Sequence, residues 1–541
     1  MKGLLTLLMY VVFSLGVQAQ VKFVSHFEVK GQPFDPTFEM MRLPEGLISF
    51  RTFQDKGISK DRVFQYFMTD LDLKSPGLVE MSVKPGYDMV GYDIDRDNLY
   101  VLMAKGNVTS ADKYILNINL TSNQGLEYPA ENLLAIDLVE FLVQKRKAVF
   151  MGNSEGRPVL QIFDLDNKSI RTVQGVYGNN TQVLQIRKMP ELEALEVVIS
   201  RRGKYKNRET SIVTFDMLGN LVREIKVDQF GTQDQEILDG LLLADQDYRQ
   251  VMIGSFGLNS RSANQGMYIM EINEFGEYEF KLYTLEDFPN FYNYLPEKQK
   301  IKRDQGVQKE LEKSKLPLIR STLAVRDVRE VGDAYYIYSD QVNVVNGRGG
   351  RSNGWTSPNT YRYDRINRLG YAPSYYPDLY HLPGGSPPLL APSPTDEYQY
   401  QSAHFVKVSK SGQVLWDNAA SYGGFSTYYP SPFGEIAIVG DDLYHLYVEN
   451  DVIKVSFFRK GEKIFDQLAI ELAPANEGDR IKSTDFDTLR LVHWYDRYFI
   501  LSGLQSVRYL NSSNQEAFRD VFFMSKILVD GDLYQPEEAR D

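Results

Sequence analysis

The chain has 541 residues, 43% of them hydrophobic, and its 35 Tyr and 30 Phe favour half-buried strands, so the composition is that of a folded, β-rich protein. Lys and Arg number 60 against 72 Asp and Glu, a formal charge of −12 that argues against a general phosphate-binding surface, and no nucleic-acid partner is expected. The absence of Cys excludes disulfides, thiol catalysis, zinc–cysteine sites and a lipid-modified N-terminal cysteine.

The chain opens with Lys2 ahead of an apolar run from Leu4 to Val17, followed by Val-Gln-Ala before Gln20. This is the pattern of a secretory signal peptide over residues 1–19, and the run is too short to span ~30 Å of hydrocarbon. No later run is long and apolar enough to span, so no transmembrane segment is expected in the mature chain. A large exported chain without disulfides suits a bacterial envelope, in the periplasm or on the periplasmic side of the outer membrane, with an extracellular place as the alternative. In that setting the Asn-X-Ser/Thr triplets at Asn107, Asn119, Asn167, Asn179 and Asn511 are ordinary surface turns.

After an isolated strand, VKFVSHFEV (21–29), two elements recur in fixed order. One is a turn and a short apolar run: EGLISFRT (45–52), DNLYVLMA (97–104), RKAVFMG (146–152), ALEVVIS (194–200), YRQVMIGS (248–255), GDAYYIYS (332–339), DDLYHLYV (441–448) and DRYFILSG (496–503). The other is an alternating hairpin around a turn marker, at Gly77, Gly125, Ser169, Gly219, Gly276, Gly412, Gly461 and Gly531. HFVKVSKSGQVLWD (404–417) is the sixth of these, and glycine suits such turns because it reaches positive φ without a Cβ clash. Most markers lie some 44 to 57 residues apart, within the range of propeller repeats.

This pairing of a buried strand with an alternating hairpin resembles the β-propeller superfamily, and the resemblance covers nearly all of the mature chain. It implies an all-β fold of eight four-stranded blades, or seven if one unit is misassigned, in a single domain over 20–541. No WD dipeptide, kelch signature or Asp-box narrows the family. A propeller must close its ring, and the N-terminal strand is expected to complete the last blade and cover its edge.

The 136 residues between Gly276 and Gly412 hold two insertions in the 291–403 region. Residues 291–318, rich in charge and helix formers, predict a solvated surface helix between Pro296 and Pro317. Residues 342–403 are punctuated by Pro and Gly yet dense in aromatics, so they predict a long loop without regular elements that contacts a partner or ligand, or packs on its own scaffold. Its Arg348, Arg351, Arg362, Arg365 and Arg368, interleaved with Trp355, Tyr361, Tyr363, Tyr371, Tyr375 and Tyr376, have the composition of an interface hot spot.

Other candidates carry less chemistry. DIDRDN (93–98) superficially matches a calcium loop, but Ala104 stands where the bidentate Glu belongs, so a blade turn is the better assignment. NGRGGRSNG (346–354) lacks the Gly-Lys-Ser/Thr ending of a phosphate loop. His26, His381, His404, His445 and His493 have no metal-ligand spacing, and no Gly-X-Ser-X-Gly elbow appears, so no cofactor, metal or catalytic residue is assigned. The sequence thus points to an exported, non-catalytic propeller that acts as a protein-interaction scaffold in the envelope, for instance as a periplasmic subunit of an outer-membrane secretion or transport assembly. Two alternatives stand beside it. One is a carbohydrate-active or other hydrolytic propeller with carboxylates at a channel mouth; the other is a glycan-binding propeller.

Overall fold

The computed structural model describes residues 21–531 except for 32–34, 55–61, 107–111, 131–132, 156, 180, 203–207, 233, 245–248, 259–262, 347–395, 428–433, 475, 477 and 512. The fold is an all-β β-propeller of eight antiparallel blades in chain order. Each blade has four strands, with small variations in the fifth and sixth. In the fifth the first strand is split into Gln235–Ile237 and Leu241–Ala244, both pairing Gln250–Leu258. In the sixth a two-residue strand, Ser426–Thr427, adds to Asp396–Ser409.

The described residues fall into two compact units. One holds those of Met1–Thr37, Thr69–Ser75 and Phe433–Asp541, and the other those of Phe38–Met68 and Pro76–Pro432. The first unit contains blades seven and eight. Blade eight is built from Arg480–Tyr495, Tyr498–Leu510 and Glu516–Val529, and its fourth strand is the N-terminal Val21–Gly31, which pairs antiparallel with Glu516–Val529. The expected completion of the last blade is therefore present. The second unit contains blades two to six and the strands of blade one.

All eight recurring apolar runs are second strands of blades. In Asn98–Lys105 the residues from Leu99 to Ala104 are all buried, because both faces of the strand are covered by neighbouring sheets. The cores lie between consecutive blades. Phe50, Phe64 and Tyr66 of blade one share a cluster with Tyr92, Val101 and Tyr114 of blade two, and Leu446 and Val455 of blade seven share one with Phe499 and Phe523 of blade eight. A fully buried side chain of this kind contributes about 1.5–3 kcal/mol.

Six of the eight hairpin markers split into two kinds. Gly219, Gly276, Gly412 and Gly461 adopt φ of 78°, 87°, 78° and 84°, as the turn requires, whereas in blades two and three the left-handed residue is Asn123 or Lys168, close to the expected Gly125 and Ser169. A side-chain cap at the first turn residue recurs beside them. Asp216 Oδ1 accepts from the backbone N–H of Leu218 and Asn220, and Asn273 Oδ1 from those of Phe275 and Glu277. Asn119 and Asn511, both in glycosylation-type triplets, act as turn caps in the same way.

Gly531 has a different role. A Cβ there would meet the Phe457 ring at 2.5 Å and the Tyr444 hydroxyl at 2.8 Å, so its lack of a side chain permits close packing.

Candidate functional site

Blade six is bordered by one insertion and interrupted by the other. Its second and third strands, Ala334–Asn346 and Asp396–Ser409, are 13 and 14 residues long, as are those of blade eight, where the same strands of blades two to four have 7–9. The flanks of the second insertion, expected to lack regular elements, are thus strand up to Asn346 and from Asp396. Between them, Arg348, Arg351, Trp355, Tyr361, Arg362, Tyr363, Arg365, Arg368, Tyr371, Tyr375 and Tyr376 lie outside the described residues.

The first insertion forms the one α-helix among the described residues, α1 (Glu297–Leu311), which buries none of its residues and so agrees with the solvated helix expected. It leaves the fourth strand of blade five and returns into the first strand of blade six, Thr322–Val331. In an antiparallel blade that connection and the second-to-third-strand connection lie at the same end, so both insertions emerge together.

A cleft of about 710 Å³ lies at this end. The α1 side contributes Gln299, Lys302, Arg303, Gly306 and Glu310, spaced three or four apart on one face of the helix. The blade side contributes Ser321, Gln341, Asn343 and Gln401, with Arg320 at the return of the chain and Phe291 and Ile319 as apolar floor. Two half-buried tyrosines, Tyr292 and Tyr294, complete the lining with Val307, Pro317 and Leu318, and burial pushes the Tyr294 hydroxyl up to about 12.

Local chemistry explains why these side chains meet. Between Gln341 and Val342 the register slips so that Gln401 is an extra residue in the third strand, a bulge that re-aims its side chain. Below the bulge, the buried Arg326 donates through Nε to Asp340 Oδ2 at 2.7 Å, while the Tyr338 and Tyr422 hydroxyls donate to Asp340 Oδ1 at 2.9 and 2.7 Å. Arg326 occupies the bulge of its first strand, where blades two, three and four carry Val90, Val139 and Leu184. Its ion pair fixes the base of the long hairpin.

The segment ahead of α1 is clamped as well. The Asn290 N–H donates to Asp417, whose Oδ2 lies 3.3 Å from His404 Nε2, and the Phe288 and Phe291 rings pack edge-on to His404 at 5.2 and 4.7 Å. On the other side of the return, the Ile319 N–H donates to Asn264 O of blade five, and Asn264 Nδ2 donates to Ser321 O.

The electrostatics of the cleft oppose those of the whole chain. Lys302, Arg303 and Arg320 line it against one carboxylate, Glu310, in a chain of net charge −12. None of the three cations is in an ion pair among the described residues. Gln341 is 1% exposed; its Oε1 accepts from Tyr294 Oη at 3.4 Å and Ser321 Oγ at 3.3 Å, and its Nε2 has no partner among the described residues. An unmatched buried amide donor costs roughly 1–3 kcal/mol.

Elsewhere the suspected chemistry resolves into architecture. Asp93 of DIDRDN is buried and accepts from the Val143 N–H and from Lys188, and Asp95 accepts from the Lys145 N–H. His404 and His445 are fully buried and His493 nearly so. Among the described residues no three His, Asp or Glu side chains are grouped so as to hold a metal ion, and no helix is long and apolar enough to cross a membrane.

No protein-family model matches the chain, and no curated protein matches its sequence. Among solved structures it is similar to the β-propeller domain of the trilobed protease from Pyrococcus furiosus, with 9% identity and a TM-score of 0.34 over 80% of this chain and 97% of that one. It is also similar to polysaccharide lyase Uly1, with 8% identity and a TM-score of 0.36 over 93% of this chain and 100% of that one. A third is AztD from Citrobacter koseri, at 11% and 0.36 over 83% and 88%.

Proposed function

We propose that the chain is an exported, non-catalytic β-propeller that works as an interaction module in a bacterial envelope, with the insertion-bearing end of blade six as its contact face. One observation carries this: the first insertion returns into blade six at the end from which the second leaves it, and residues of both border a polar cleft, while blades two to four keep short, regular hairpins. Departures from a regular scaffold are where binding residues concentrate. The export step rests on Lys2, the apolar run Leu4–Val17 and the small-residue site before Gln20. The Arg, Tyr and Trp content of residues 348–376 supports contact with another envelope protein or an outer-membrane complex.

The test is purification of the native protein from solubilised envelopes, beside a variant in which residues 347–395 are replaced by a short Gly-Ser linker. The expected result is one stable envelope component that co-elutes with the native chain and is lost or weakened with the variant. Recovery of the native protein alone would overturn the proposal.

A further inference from the structure

From the cleft of blade six we infer a binding site for a carboxylate-bearing oligosaccharide. The inference rests on the interaction reading above and names the chemistry of one ligand for that face.

The first argument is the character of α1. A helix laid against a protein body normally turns an apolar stripe toward it. The α1 face toward the blade carries Gln299, Lys302, Arg303, Gly306 and Glu310, and of that face Val307 joins the blade core. Burial therefore does not account for where the helix sits. Gly306, at mid-helix, is a poorer helix former than Ala, and a Cβ there would meet nothing within 4 Å. The helix wall is left open at its centre.

The second argument is the donor and acceptor set. Gln299, Asn343 and Gln401 each offer a donor and an acceptor from one planar group, and this matches a sugar hydroxyl, which is also both. Tyr292 and Tyr294 supply half-buried rings of the kind that cover the apolar face of a pyranose, and the volume falls in the roughly 300–1,000 Å³ range of small-ligand sites. The unmatched Gln341 Nε2, held deep between Tyr294 and Ser321, is a donor with no acceptor among the described residues, and a ligand oxygen would satisfy it.

The third argument is charge. Arg303 and Arg320 act on Tyr292 against Asp304 and Glu310, and among the lining residues Lys302, Arg303 and Arg320 outnumber the one carboxylate, Glu310, an excess that selects a carboxylate over a neutral sugar. An acidic peptide shares that charge, but an extended peptide recognised through its backbone needs an open strand edge. The backbone N–H groups beside the cleft are engaged, that of Ile319 with Asn264 O and that of Tyr400 with Phe425 O. Side-chain recognition of hydroxyls and a carboxylate is the better match.

The experiment uses the full mature chain and isothermal titration with three probes: a tetrasaccharide of uronic acid, the neutral hexose tetrasaccharide of the same linkage, and tetraglutamate. The expected result is binding of the uronate probe, at least tenfold weaker binding of the other two, and a tenfold or greater loss with Gly306→Phe and with Arg303→Ala/Arg320→Ala. These three positions are exposed, so the variants should melt with the native chain. Gln341→Met removes the Nε2 donor and should weaken the uronate probe as well, at some cost in melting temperature because it also removes the acceptor of Tyr294 and Ser321. Equal binding of tetraglutamate, equal binding of the neutral sugar, or uronate binding indifferent to Gly306→Phe would each overturn the inference. Failure here, with an envelope component still recovered in the purification above, removes the glycan and leaves the interaction module. Failure of that purification with uronate binding intact does the reverse.

Discussion

Lys188 Nζ lies 2.7 Å from Asp93 Oδ2 with both side chains buried, and this one pair ties three blades together. Asp93 is in the first strand of blade two and Lys188 in that of blade four. Between them the Val143 N–H of blade three donates to the same Asp93 oxygen at 2.6 Å, and Lys188 also donates to Ile94 O. Related links recur where Gln185 accepts from the Leu242 N–H and Asp239 from the Val325 N–H. Removing one partner of a buried pair strands the other, at about 3–5 kcal/mol. Asp93→Ala and Lys188→Met should each lower the urea midpoint strongly, the double replacement should cost less than the sum, and added calcium should leave the native midpoint unchanged. Single variants with the native midpoint would show that the pair holds nothing.

The N-terminal strand should be required for stability. Val21–Gly31 pairs along Glu516–Val529, and Arg519 holds Glu28 through Nε at 2.9 Å and Nη2 at 3.2 Å. Deleting residues 21–34 should lower the melting temperature and promote aggregation, because it exposes a strand edge. Light scattering during a thermal melt reads both effects, and an unchanged melt would refute the role assigned to the strand.

What the sequence makes legible follows from periodicity. A strand covered on both faces must be continuously apolar, so DNLYVLMA and its relatives mark every second strand, and the alternating hairpins mark the outer strands of the first seven blades. Gly531 misleads as a turn marker because a glycine needed for close approach to Phe457 looks the same as one needed for positive φ. The cleft is illegible for a related reason. Lys302, Arg303 and Gln299 read as solvated helix, since no pattern separates a polar face toward water from one toward a cavity, and Gln341 and Gln401 meet through a bulge that leaves no sequence mark. The spacing between Asp216 and Gly219, and between Asn273 and Gly276, is a signal that would have sharpened the turns.

Acid should weaken the fold through His445. Burial holds its imidazole down to about 3, against 6.5 for the free side chain. The folded state therefore binds fewer protons than the unfolded one below pH 6.5. Stability from this group is intact above that value and falls as the pH drops toward 3, by about 1.4 kcal/mol per unit. Between pH 6.5 and 5 the loss is about 2 kcal/mol. The urea midpoint of the native chain should fall more steeply over this interval than that of His445→Phe, with the difference between the two isolating the histidine from carboxylates that titrate in both. Parallel slopes would mean that His445 is protonated without cost.

The segment ahead of α1 should be released by a change at Asp417. That carboxylate, 1% exposed, accepts from the Asn290 N–H and faces His404 Nε2, and next to it Asn418 Oδ1 accepts from Asn293 Nδ2 at 3.0 Å. Asp417→Ala leaves the Asn290 N–H and the buried imidazole without their acceptor, a cost of about 1–3 kcal/mol confined to one corner of blade six. Proteolytic cutting within 285–318 should accelerate several-fold, and amide exchange at Asn290 should rise with it, while blades two to four keep their native exchange. Asp417→Asn, which keeps one acceptor oxygen at nearly the same volume, should restore most of the protection. Cutting at the native rate in Asp417→Ala would show that the Phe288 and Phe291 rings hold the segment by packing alone.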